Sequence, residues 1–438
     1  MKLSEIISNI NGRLGIAELN PMQRRMTETV ARSIVLLSPT GSGKTLAFAI
    51  PLLRRLRPAD GRVQAVVIAP SRELVLQIYE VIRPLAVGYK TVAFYGGHSM
   101  MDEKRSLSAV PDIVITTPGR LLDHVNRHQI DLYSTRTLVL DEYDKSLELG
   151  FHDEMKRIVA RMPNLSQTLL TSATRLDALP SWLHAGEPAT VDFLNDGSDL
   201  KKRLTVIDVE SPVKDKIDTL ADLLRSLDNQ RVIIFVNYRD SAQRLYDHLQ
   251  RLGLPVGLYH GALDQPDREK AIDLLNNGTT PILISTDLGA RGLDIDTVGS
   301  VVHYHMPLTP EAWTHRNGRT ARIDREGTVY VVHSESDTVP EFVTFDRPYH
   351  PTGHSEDPIR PTAATLYFDA GKKEKLSRGD IVGFLVNKGG LRADEIGKIT
   401  VKDHSAIAAI PPTDPAAVIA RIKGEKIKGK RVRVSLLK

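Results

Sequence analysis

A glycine-rich segment, SPTGSGKT at residues 38–45, directly follows the apolar run IVLL at 34–37 and constrains the fold more than any other part of the chain. The apolar run predicts a buried strand, the glycines predict a tight turn, and a helix is expected to begin near Lys44. Gly41 and Gly43 leave backbone N–H groups free to approach phosphate oxygens, and the helix N-terminus adds partial positive charge. The segment predicts a phosphate-binding loop in an α/β domain, with a simple helix-capping turn as the alternative.

The side chains of this loop suit a nucleoside triphosphate and its metal ion. Lys44 is expected to reach the β- and γ-phosphates, and Thr45 is expected to offer its hydroxyl to Mg²⁺. Residue 38 is Ser where the strict pattern has Gly, but the strand, turn and helix context is retained. The loop residues predicted to bind the nucleotide are Thr40, Gly41, Ser42, Gly43, Lys44 and Thr45.

A second apolar run ends in carboxylates. TLVL at 137–140 is followed by DEYD at 141–144, and open α/β sheets bind ligands at the carboxyl ends of their strands. We assign Asp141 to Mg²⁺, and Glu142 to the orientation and deprotonation of an attacking water. An acidic pair after a strand is by itself more often a helix cap. Combined with the phosphate-binding loop, the pair favours nucleoside triphosphate hydrolysis.

Length and composition limit the other possibilities. A chain of 438 residues exceeds one ordinary core, so two or three domains are expected. The absence of cysteine excludes disulfides and thiolate metal sites, and it fits a reducing cytoplasm. No run of 18 apolar residues exists, and the N-terminus MKLSEIISNI lacks the apolar stretch of a signal peptide. We therefore expect a cytoplasmic protein with no membrane partner.

Charge is unevenly distributed along the chain. Residues 363–438 carry 16 basic and 8 acidic side chains, whereas the net charge of the whole chain is only +4. A basic surface attracts polyanions because binding releases condensed counterions. An ordinary lysine-rich surface is an equally acceptable interpretation of the tail alone.

Alternating β-rich and helical stretches predict the domain organisation. Residues 1–195 and 205–340 each contain five or six apolar runs separated by helical segments, which is typical of a parallel sheet covered on both faces. Residues 195–204 read as a linker between them, and 341–362 as a flexible linker to the tail. Residues 363–438 show the order β-α-β-β-α-β, which is that of an RRM-type module.

A series of short segments, in order, resembles the signature motifs of the DEAD-box RNA helicases of superfamily 2. The resemblance covers nearly the whole chain and implies ATP-driven action on RNA by two RecA-like domains. The matching segments are Gln23 in LNPMQ, SPTGSGKT, PSREL at 70–74, Gly96-Gly97, TPGR at 117–120, DEYD, SAT at 172–174, Gln265 with Arg268, STDLGARGLD at 285–294 and HRNGRTAR at 315–322.

The resemblance implies a role for each matching residue. Gln23 would read adenine, Asp294 would contact the ribose, and Arg319 and Arg322 would neutralise charge on the transferred phosphoryl group. Three residues apart, these arginines are expected on one helix face or one turn, although a surface ion-pair network is the alternative for them alone. The residues implied to hold the RNA backbone are Arg72, Gly97, Thr117, Arg120, Gln265, Arg268 and Thr286. Those implied to couple hydrolysis to RNA opening are Asp144, Ser172, Thr174 and His315.

The tail is similar to the C-terminal RNA-binding domain of the DbpA subfamily, through GKKEKLSRGDIVGFL, DEIGKI and KIKGKRVRV. This similarity implies recognition of a hairpin of large-subunit ribosomal RNA and a role in 50S assembly. Stacking aromatics are few, and only one of the neighbours Tyr367 and Phe368 can face outward. Recognition is therefore expected to depend on basic residues, namely Lys372, Lys373, Lys375, Arg378, Lys426, Lys428, Lys430 and Arg431.

The sequence thus predicts an α/β fold of two tandem RecA-like parallel-sheet domains plus a C-terminal α+β RRM-like domain. The predicted function is a monomeric ATP-dependent RNA helicase that acts on structured ribosomal RNA, with ATP and Mg²⁺. Tyr143 replaces the Ala of the DEAD box, so one alternative is a nucleotide-gated RNA clamp or chaperone with weak ATPase activity, in which Tyr143→Ala would restore turnover. A DNA-acting translocase of the same superfamily is the second alternative.

Overall fold

The structure is a computed structural model that describes residues 1–437 except residues 40, 97–105, 176–177, 184–185, 195–202, 288–294, 296–297 and 321–325. Contacts divide the described chain into a first unit that ends at Arg203 and a second that begins at Leu204. The predicted fold class, two parallel-sheet domains and a small α+β domain, is confirmed. Four residues of the predicted sites lie outside the described residues, namely Thr40, Gly97, Asp294 and Arg322.

The first unit contains a seven-stranded parallel sheet. Its strands are β1 Ser33–Leu37, β2 Ala65–Ile68, β3 Thr91–Phe94, β4 Ile113–Thr116, β5 Thr137–Leu140, β6 Gln167–Ser172 and β7 Ala189–Asp192. They pair in the order β3-β4-β2-β5-β6-β1-β7. The helices are α1 Leu3–Asn9, continued by a π-helical turn at Ile10–Leu14, α2 Pro21–Glu28, α3 Lys44–Arg55, α4 Arg72–Leu85, α5 Pro118–Asn126, α6 Tyr143–Glu148 and α7 His152–Val159, with a 3₁₀ turn at Ser181–Leu183. The five central strands are buried along their whole length because helices cover both faces.

The second unit begins with a sheet of the same design. Its strands are β8 Leu204–Ser211, β9 Val232–Phe235, β10 Val256–Tyr259, β11 Ile282–Ser285, β12 Ser300–His303, β13 Gly327–Ser334 and β14 Arg347–Pro348. The helices that cover it are α8 Ile217–Ser226, α9 Arg239–Arg251, α10 Gln265–Asn277 and α11 Pro310–Asn317. The order β10-β11-β9-β12-β13-β8-β14 repeats the order of the first sheet strand for strand.

The predicted flexible linker at 341–362 is packed against the second sheet. Its short strand β14 pairs with β8, and Val343 and Ile359 are buried in the cores of this domain. The predicted linker at 195–204 also extends one residue too far, because Leu204 already belongs to β8. Both differences arise at or next to an edge of the sheet, since β14 is the edge strand and β8 is its neighbour, and the sequence pattern there is weak.

The C-terminal domain is a four-stranded antiparallel sheet with two main helices. Its elements are β15 Ala364–Phe368, α12 Arg378–Asn387, a 3₁₀ turn Ala393–Glu395, β16 Ile399–Val401, β17 Ala406–Ile410, α13 Pro415–Ile422, the short pair β18 Lys426–Ile427 and β19 Lys430–Arg431, and β20 Val434–Leu437. The order β16-β17-β15-β20 confirms the predicted β-α-β-β-α-β module, in which β16 and β17 form an antiparallel hairpin. Phe368 is buried and Tyr367 faces outward, as strand alternation required. None of the helices in the described part of the chain combines the length and apolar composition that a membrane span requires.

Candidate active site and RNA-binding surfaces

The phosphate-binding loop joins the buried strand β1 to helix α3, which begins at Lys44 as predicted. Gly41 and Gly43 have φ values of +79° and +88°, which L side chains rarely adopt. A Cβ atom on Gly43 would also lie 2.7 Å from Nε2 of Gln23. Glycine is therefore required at residue 43 by both its backbone conformation and its close neighbour.

Gln23 holds helix α2 against this loop. Its N–H donates to Oδ1 of Asn20 (2.8 Å), and its Oε1 accepts from the N–H of Asn20 (3.0 Å), which forms a capping box. The Nε2 of Gln23 donates to the carbonyl of Gly43 (3.2 Å), and Nδ2 of Asn20 donates to the carbonyl of Ser42 (3.0 Å). The structure thus brings Gln23 to the loop. Sequence reasoning missed Asn20, although the Asn-x-x-Gln spacing is a recognisable capping signal.

Lys44 is buried at the start of α3, and its Nζ donates to the carbonyl of Ser38 (2.9 Å). Ser38 also donates through its hydroxyl to Oγ of Ser42 (2.7 Å), which in turn donates to the carbonyl of Pro39 (2.8 Å). The residue that departs from the strict glycine pattern therefore orders the loop. Thr45 follows in the first turn of α3.

Asp141 directly follows β5 and is only 3% exposed. Its Oδ1 accepts a hydrogen bond of 2.6 Å from Oγ1 of Thr171 on β6, and its N–H donates to the carbonyl of Ile68 on β2. Burial raises the pKa of the Asp141 carboxyl, whereas the charge of Lys44 and the hydrogen bond from Thr171 oppose the shift. The loop and the acidic cluster therefore form one electrostatic site.

Glu142 precedes helix α6 in a left-handed backbone conformation, with φ 46° and ψ 54°. Its N–H donates to Oγ1 of Thr171 (3.1 Å), and its side chain is largely buried. The next residue, Tyr143, is fully buried in the core cluster that contains Leu140 and Leu170. The aromatic ring is thus accommodated in the core, next to the carboxylate of Asp141 and the backbone of Glu142, which are both hydrogen-bonded to Thr171 on β6.

Asp144 connects the acidic cluster to the SAT segment. Its Oδ2 accepts from the N–H of Ala173 (3.2 Å) and from Oγ1 of Thr174 (3.1 Å). Ser172 donates through Oγ to the carbonyl of Thr174 (2.6 Å) and accepts from its N–H (3.1 Å). The three coupling residues predicted in the first unit therefore lie in one hydrogen-bonded network.

The carboxyl edge of the first sheet also carries three of the predicted RNA-contacting residues of this unit, Arg72, Thr117 and Arg120. Arg72 begins α4 after β2, and its guanidinium lies 4.6 Å from the ring centre of Tyr95, which follows β3. Thr117 directly precedes α5 after β4, and Arg120 lies in the first turn of that helix, with NH1 3.9 Å from Oδ2 of Asp123. Because all these strands are parallel, the residues occupy a single edge of the sheet.

In the second unit, helix α11 ends at Asn317, so Arg319 lies in the turn after the helix rather than on a helix face. Arg319 is largely buried, and its backbone donates to the carbonyl of Arg316 and accepts from the N–H of Val298. His315 is buried on the last turn of α11. Of the two predicted placements, the helix face does not apply to Arg319; the placement of Arg319 and Arg322 on one turn stays a prediction, because Arg322 lies outside the described residues.

Arg316 was missed by sequence reasoning, yet it is fully buried and makes several hydrogen bonds. Its Nε and NH2 bind both carboxylate oxygens of Asp287 (2.6 and 2.9 Å), NH2 also donates to Oδ1 of Asn237 (2.7 Å), and NH1 donates to the carbonyl of His305 (2.8 Å). It thereby joins the loops after β9, β11 and β12. The sequence HRNGRTAR contains three arginines, and nothing in it marks this one as internal.

Three family patterns match this chain in order. The DEAD/DEAH box helicase pattern matches residues 20–178, the helicase conserved C-terminal domain matches 215–324, and the DbpA RNA binding domain matches 365–436. The ATP-dependent RNA helicase DbpA of Escherichia coli (strain K12) is 32% identical over 448 residues, which cover 99% of this chain and 97% of that protein. The chain belongs to the DEAD-box RNA helicases, in the DbpA-like subfamily. It is an ATP-dependent RNA helicase, and members of this family hydrolyse ATP.

Further relatives agree with this assignment. DbpA of Bacillus subtilis (strain 168) is 29% identical over 474 residues, covering 98% of this chain and 97% of that protein. The solved structure of S. cerevisiae Dbp5 bound to RNA and ADP BeF3 matches with a TM-score of 0.68 and 27% identity, over 78% of this chain and 93% of that chain. The solved structure of Mss116 bound to ssRNA and UDP-BeF matches with a TM-score of 0.65 and 26% identity, over 75% of this chain and 73% of that chain.

In this DEAD-box helicase, the second-domain residues predicted to contact RNA lie near the carboxyl ends of β10 and β11. Gln265 begins helix α10, and Arg268 follows one turn later. Thr286 follows β11, and its N–H donates to the carbonyl of Tyr259 (3.3 Å). Nε2 of Gln265 donates to Oε1 of Glu269 (3.2 Å) on the same helix.

Helix α10 of the helicase is also the docking site of its C-terminal domain. Lys402, in the turn after β16, donates to Oε2 of Glu269 (3.0 Å) and to Oδ2 of Asp273 (2.7 Å). Thr365 on β15 is fully buried, and its hydroxyl hydrogen-bonds with Nδ2 of Asn277 (3.2 Å) and Oγ1 of Thr279 (2.7 Å). The outer face of the small sheet is therefore partly covered at β15.

Two segments of the C-terminal domain bring the predicted basic residues together. Nζ of Lys428 donates to the carbonyl of Lys375 (3.3 Å), and Nζ of Lys430 donates to the carbonyl of Glu374 (3.0 Å). Lys428 also pairs with Asp380 (2.8 Å), whose carboxyl has a pKa lowered to about 2 by hydrogen bonds from Lys428 and Ser377. We call this surface the basic patch; its exposed members are Lys372, Lys373, Lys375, Arg378, Lys426, Lys428, Lys430 and Arg431.

Proposed function

We propose that this helicase hydrolyses ATP between the loop at 38–45 and the DEYD segment, with Mg²⁺ held by Thr45 and Asp141. The donor set supports this ion, because hydroxyl and carboxylate oxygens are hard ligands and Mg²⁺ sites commonly combine one or two carboxylates with substrate phosphates. The ion would neutralise charge on the β- and γ-phosphates. The electrostatic effect of Lys44 on Asp141 supports a shared site.

Each residue of this site has a distinct proposed task. Lys44 binds the terminal phosphates, Gln23 reads adenine, and Glu142 orients the attacking water and accepts its proton. Arg319, with Arg322, meets the charge that develops on the transferred phosphoryl group. The proposed nucleotide contacts also include Thr40, Gly41, Ser42, Gly43 and Asp294.

The proposed link from ATP to RNA begins at Asp144. A change in the position of the DEYD segment would be passed through Asp144 to Ser172 and Thr174, because these groups share hydrogen bonds. His315 is proposed to join this network from the HRNGRTAR segment. Coupling of this kind is reciprocal, so RNA would strengthen ATP binding as much as ATP strengthens RNA binding.

We further propose that the C-terminal domain targets the helicase to ribosomal RNA during 50S assembly. The observation that carries this proposal is the basic patch, which gathers eight exposed cations in the domain that matches the DbpA RNA binding domain. The covered position Thr365 supports recognition away from the outer sheet face. A patch of flexible cations suits phosphates and the shape of a folded RNA.

The targeting proposal can be tested with paired charge removals. Lys426→Ala with Arg431→Ala removes two facing cations of the basic patch, and Lys156→Ala with Arg157→Ala removes two exposed cations from α7 as the matched control. Both proteins, and the native one, are crosslinked to RNA in cell extract and the bound fragments sequenced. We expect the patch variant alone to lose enrichment of large-subunit ribosomal RNA and to lower the slope of log affinity against log salt by about 2. Unchanged enrichment in the patch variant would argue against targeting by this surface.

The alternative to a working helicase is a nucleotide-gated RNA clamp or chaperone with weak ATPase activity, and turnover measurements distinguish the two. Burial of Tyr143, with Asp141 and Glu142 both bonded to Thr171, supports hydrolysis rather than a clamp. RNA-stimulated phosphate release tests this directly, since a clamp shows a flat response to RNA. We also propose that the helicase is a cytoplasmic monomer; a mass measured by light scattering near twice 48.6 kDa would contradict the monomer.

A further inference from the structure

Thr171 lies near the carboxyl end of β6, beside the acidic residues that follow the neighbouring strand β5. The register pairs Leu140, the last residue of β5, with Leu170, so Asp141, which follows β5, comes to lie beside Thr171 of β6. Thr171 is fully buried. Its hydroxyl donates to Oδ1 of Asp141 (2.6 Å) and accepts from the N–H of Glu142 (3.1 Å).

The two hydrogen bonds are compatible with each other, because the Thr171 hydroxyl is the donor in one and the acceptor in the other. A hydroxyl has a single proton, and here that proton goes to the carboxylate, which leaves the oxygen lone pairs for the N–H of Glu142. One atom therefore fixes the side chain of Asp141 and the backbone of Glu142 at the same time.

The backbone of Glu142 needs such an anchor. A φ of 46° is left-handed, and a residue with a Cβ atom adopts it at a cost of about 1–2 kcal/mol that surrounding contacts must offset. The backbone direction at this residue also decides where its carboxylate lies. Contacts that hold the turn thus decide the geometry of the water-orienting group.

We propose that Thr171 is a positioning residue of the ATPase, whose hydroxyl aligns Asp141 for the metal ion and Glu142 for the attacking water. The inference rests on the proposed roles of those two carboxylates. Thr171 acts in this proposal through Asp141 and Glu142, to which its hydroxyl is bonded. Groups that orient metal ligands in this way commonly change metal affinity or activity by about 10–100-fold when removed.

Substitutions at Thr171 can separate its hydroxyl from its packing. Thr171→Val keeps the volume and branching but leaves Oδ1 of Asp141 and the N–H of Glu142 without this partner. Thr171→Ser keeps the hydroxyl and removes only the methyl group. A residue that acts only through packing would tolerate Val and suffer from Ser, whereas a positioning residue shows the opposite pattern.

The experiment measures binding of a fluorescent ADP to the full chain at increasing Mg²⁺, and in EDTA, alongside RNA-stimulated phosphate release. For Thr171→Val we expect the Mg²⁺ midpoint to rise about 10–100-fold, phosphate release to fall by a similar factor, and affinity in EDTA to stay within about twofold. Thr171→Ser should remain within about threefold of the native protein in all three. If Thr171→Val does not fold, Thr171→Ala enters the same titration with the same expectation.

Asp141→Asn serves as the reference variant. A shifted midpoint in Asp141→Asn with a native midpoint in folded Thr171→Val overturns the role of Thr171 and leaves the metal site intact. An unshifted midpoint in Asp141→Asn removes the proposed metal role, and the inference about Thr171 falls with it. A Thr171→Ser protein as impaired as Thr171→Val also overturns the proposal, because the hydroxyl then makes no difference.

Discussion

Replacement of Tyr143, the third residue of the DEYD segment, separates a core role from a catalytic one. The ring is fully buried in the cluster that includes Met155, Ile158 and Leu170. Within the described part of the chain, its hydroxyl has no hydrogen-bond partner. Burial raises the pKa of Tyr143 to about 12, so the hydroxyl stays protonated at any working pH.

The two informative substitutions are Tyr143→Ala, which should lower the stability of the protein, and Tyr143→Phe, which should not. Tyr143→Ala removes a buried aromatic ring, which costs about 3–5 kcal/mol through lost burial and the remaining cavity. For a domain of about 200 residues this corresponds to a fall in melting temperature of roughly 6–20 °C. Tyr143→Phe removes only a hydroxyl that has no partner, and such a buried group costs about 1–3 kcal/mol. The Phe variant should therefore be as stable as the native protein or more stable.

The same reasoning predicts turnover. A cavity directly after Glu142 allows the left-handed turn to relax, so Tyr143→Ala should lower RNA-stimulated phosphate release at a temperature where the protein is still folded. Tyr143→Phe should keep native turnover. Melting is followed by circular dichroism on the full chain, and phosphate release is measured with and without RNA on the same samples.

Two results would refute this account of Tyr143. A melting temperature of Tyr143→Ala within about 1 °C of the native value would show that the ring does not support the core. Increased turnover in Tyr143→Ala, at unchanged stability, would instead favour the alternative of a clamp whose ATPase is held back by this residue.

Three further predictions address other parts of the molecule. Lys44→Ala should abolish nucleotide binding, measured by fluorescence titration, with an unchanged melting temperature; retained affinity would exclude the proposed phosphate contact. Lys402→Glu places a carboxylate beside Glu269 and Asp273, so it should release the C-terminal domain and increase the radius of gyration in X-ray scattering, whereas the exposed control Lys423→Glu should not. Burial lowers the pKa values of His303 and His305 to about 3 and 4, aided by positive neighbours, so both are neutral in the fold. Because the unfolded chain binds these protons near pH 6.5, stability should be complete above that pH and fall as pH is lowered from 7 to 5; a constant melting temperature there would contradict this.

Local sequence patterns predicted most of the fold, because the central strands are apolar on both faces and short turns separate them from helices. The strands that were missed lie at or next to a sheet edge. Strand β7 alternates in burial and has only four residues, β14 has two exposed residues, and β8 begins inside a polar segment. Their place is decided by pairing with a neighbouring strand rather than by their own composition.

The candidate site likewise contains some residues that the sequence alone indicates and others that only their tertiary contacts indicate. Residues 38–45 and 141–144 carry their proposed chemistry in their residue types, so the sequence alone was sufficient to propose them as a site. Thr171 and Arg316 act through tertiary hydrogen bonds that depend on strand register and on loops distant in sequence. Threonine in a strand and arginine in a basic motif are ordinary residues until those partners are known.

The two sheets share one topology but differ in the partners of the lysine that follows the equivalent strand. Strands β1 and β8 hold the same place in their sheets, and each leads through a short loop to a helix that begins near a buried lysine. Lys44 donates to the neutral carbonyl of Ser38 in its own loop, and its charge lowers the pKa of the Asp141 carboxyl against the effect of burial. Lys216, at the start of α8, binds the carboxylate of Asp337 (2.9 Å) and the carbonyl of Tyr304 (2.8 Å). The charge of Lys216 is therefore neutralised by the carboxylate of Asp337 in the same domain. Among the described residues, this difference between the two lysines supports the proposal that the first loop binds phosphate, since a shared fold does not by itself determine function.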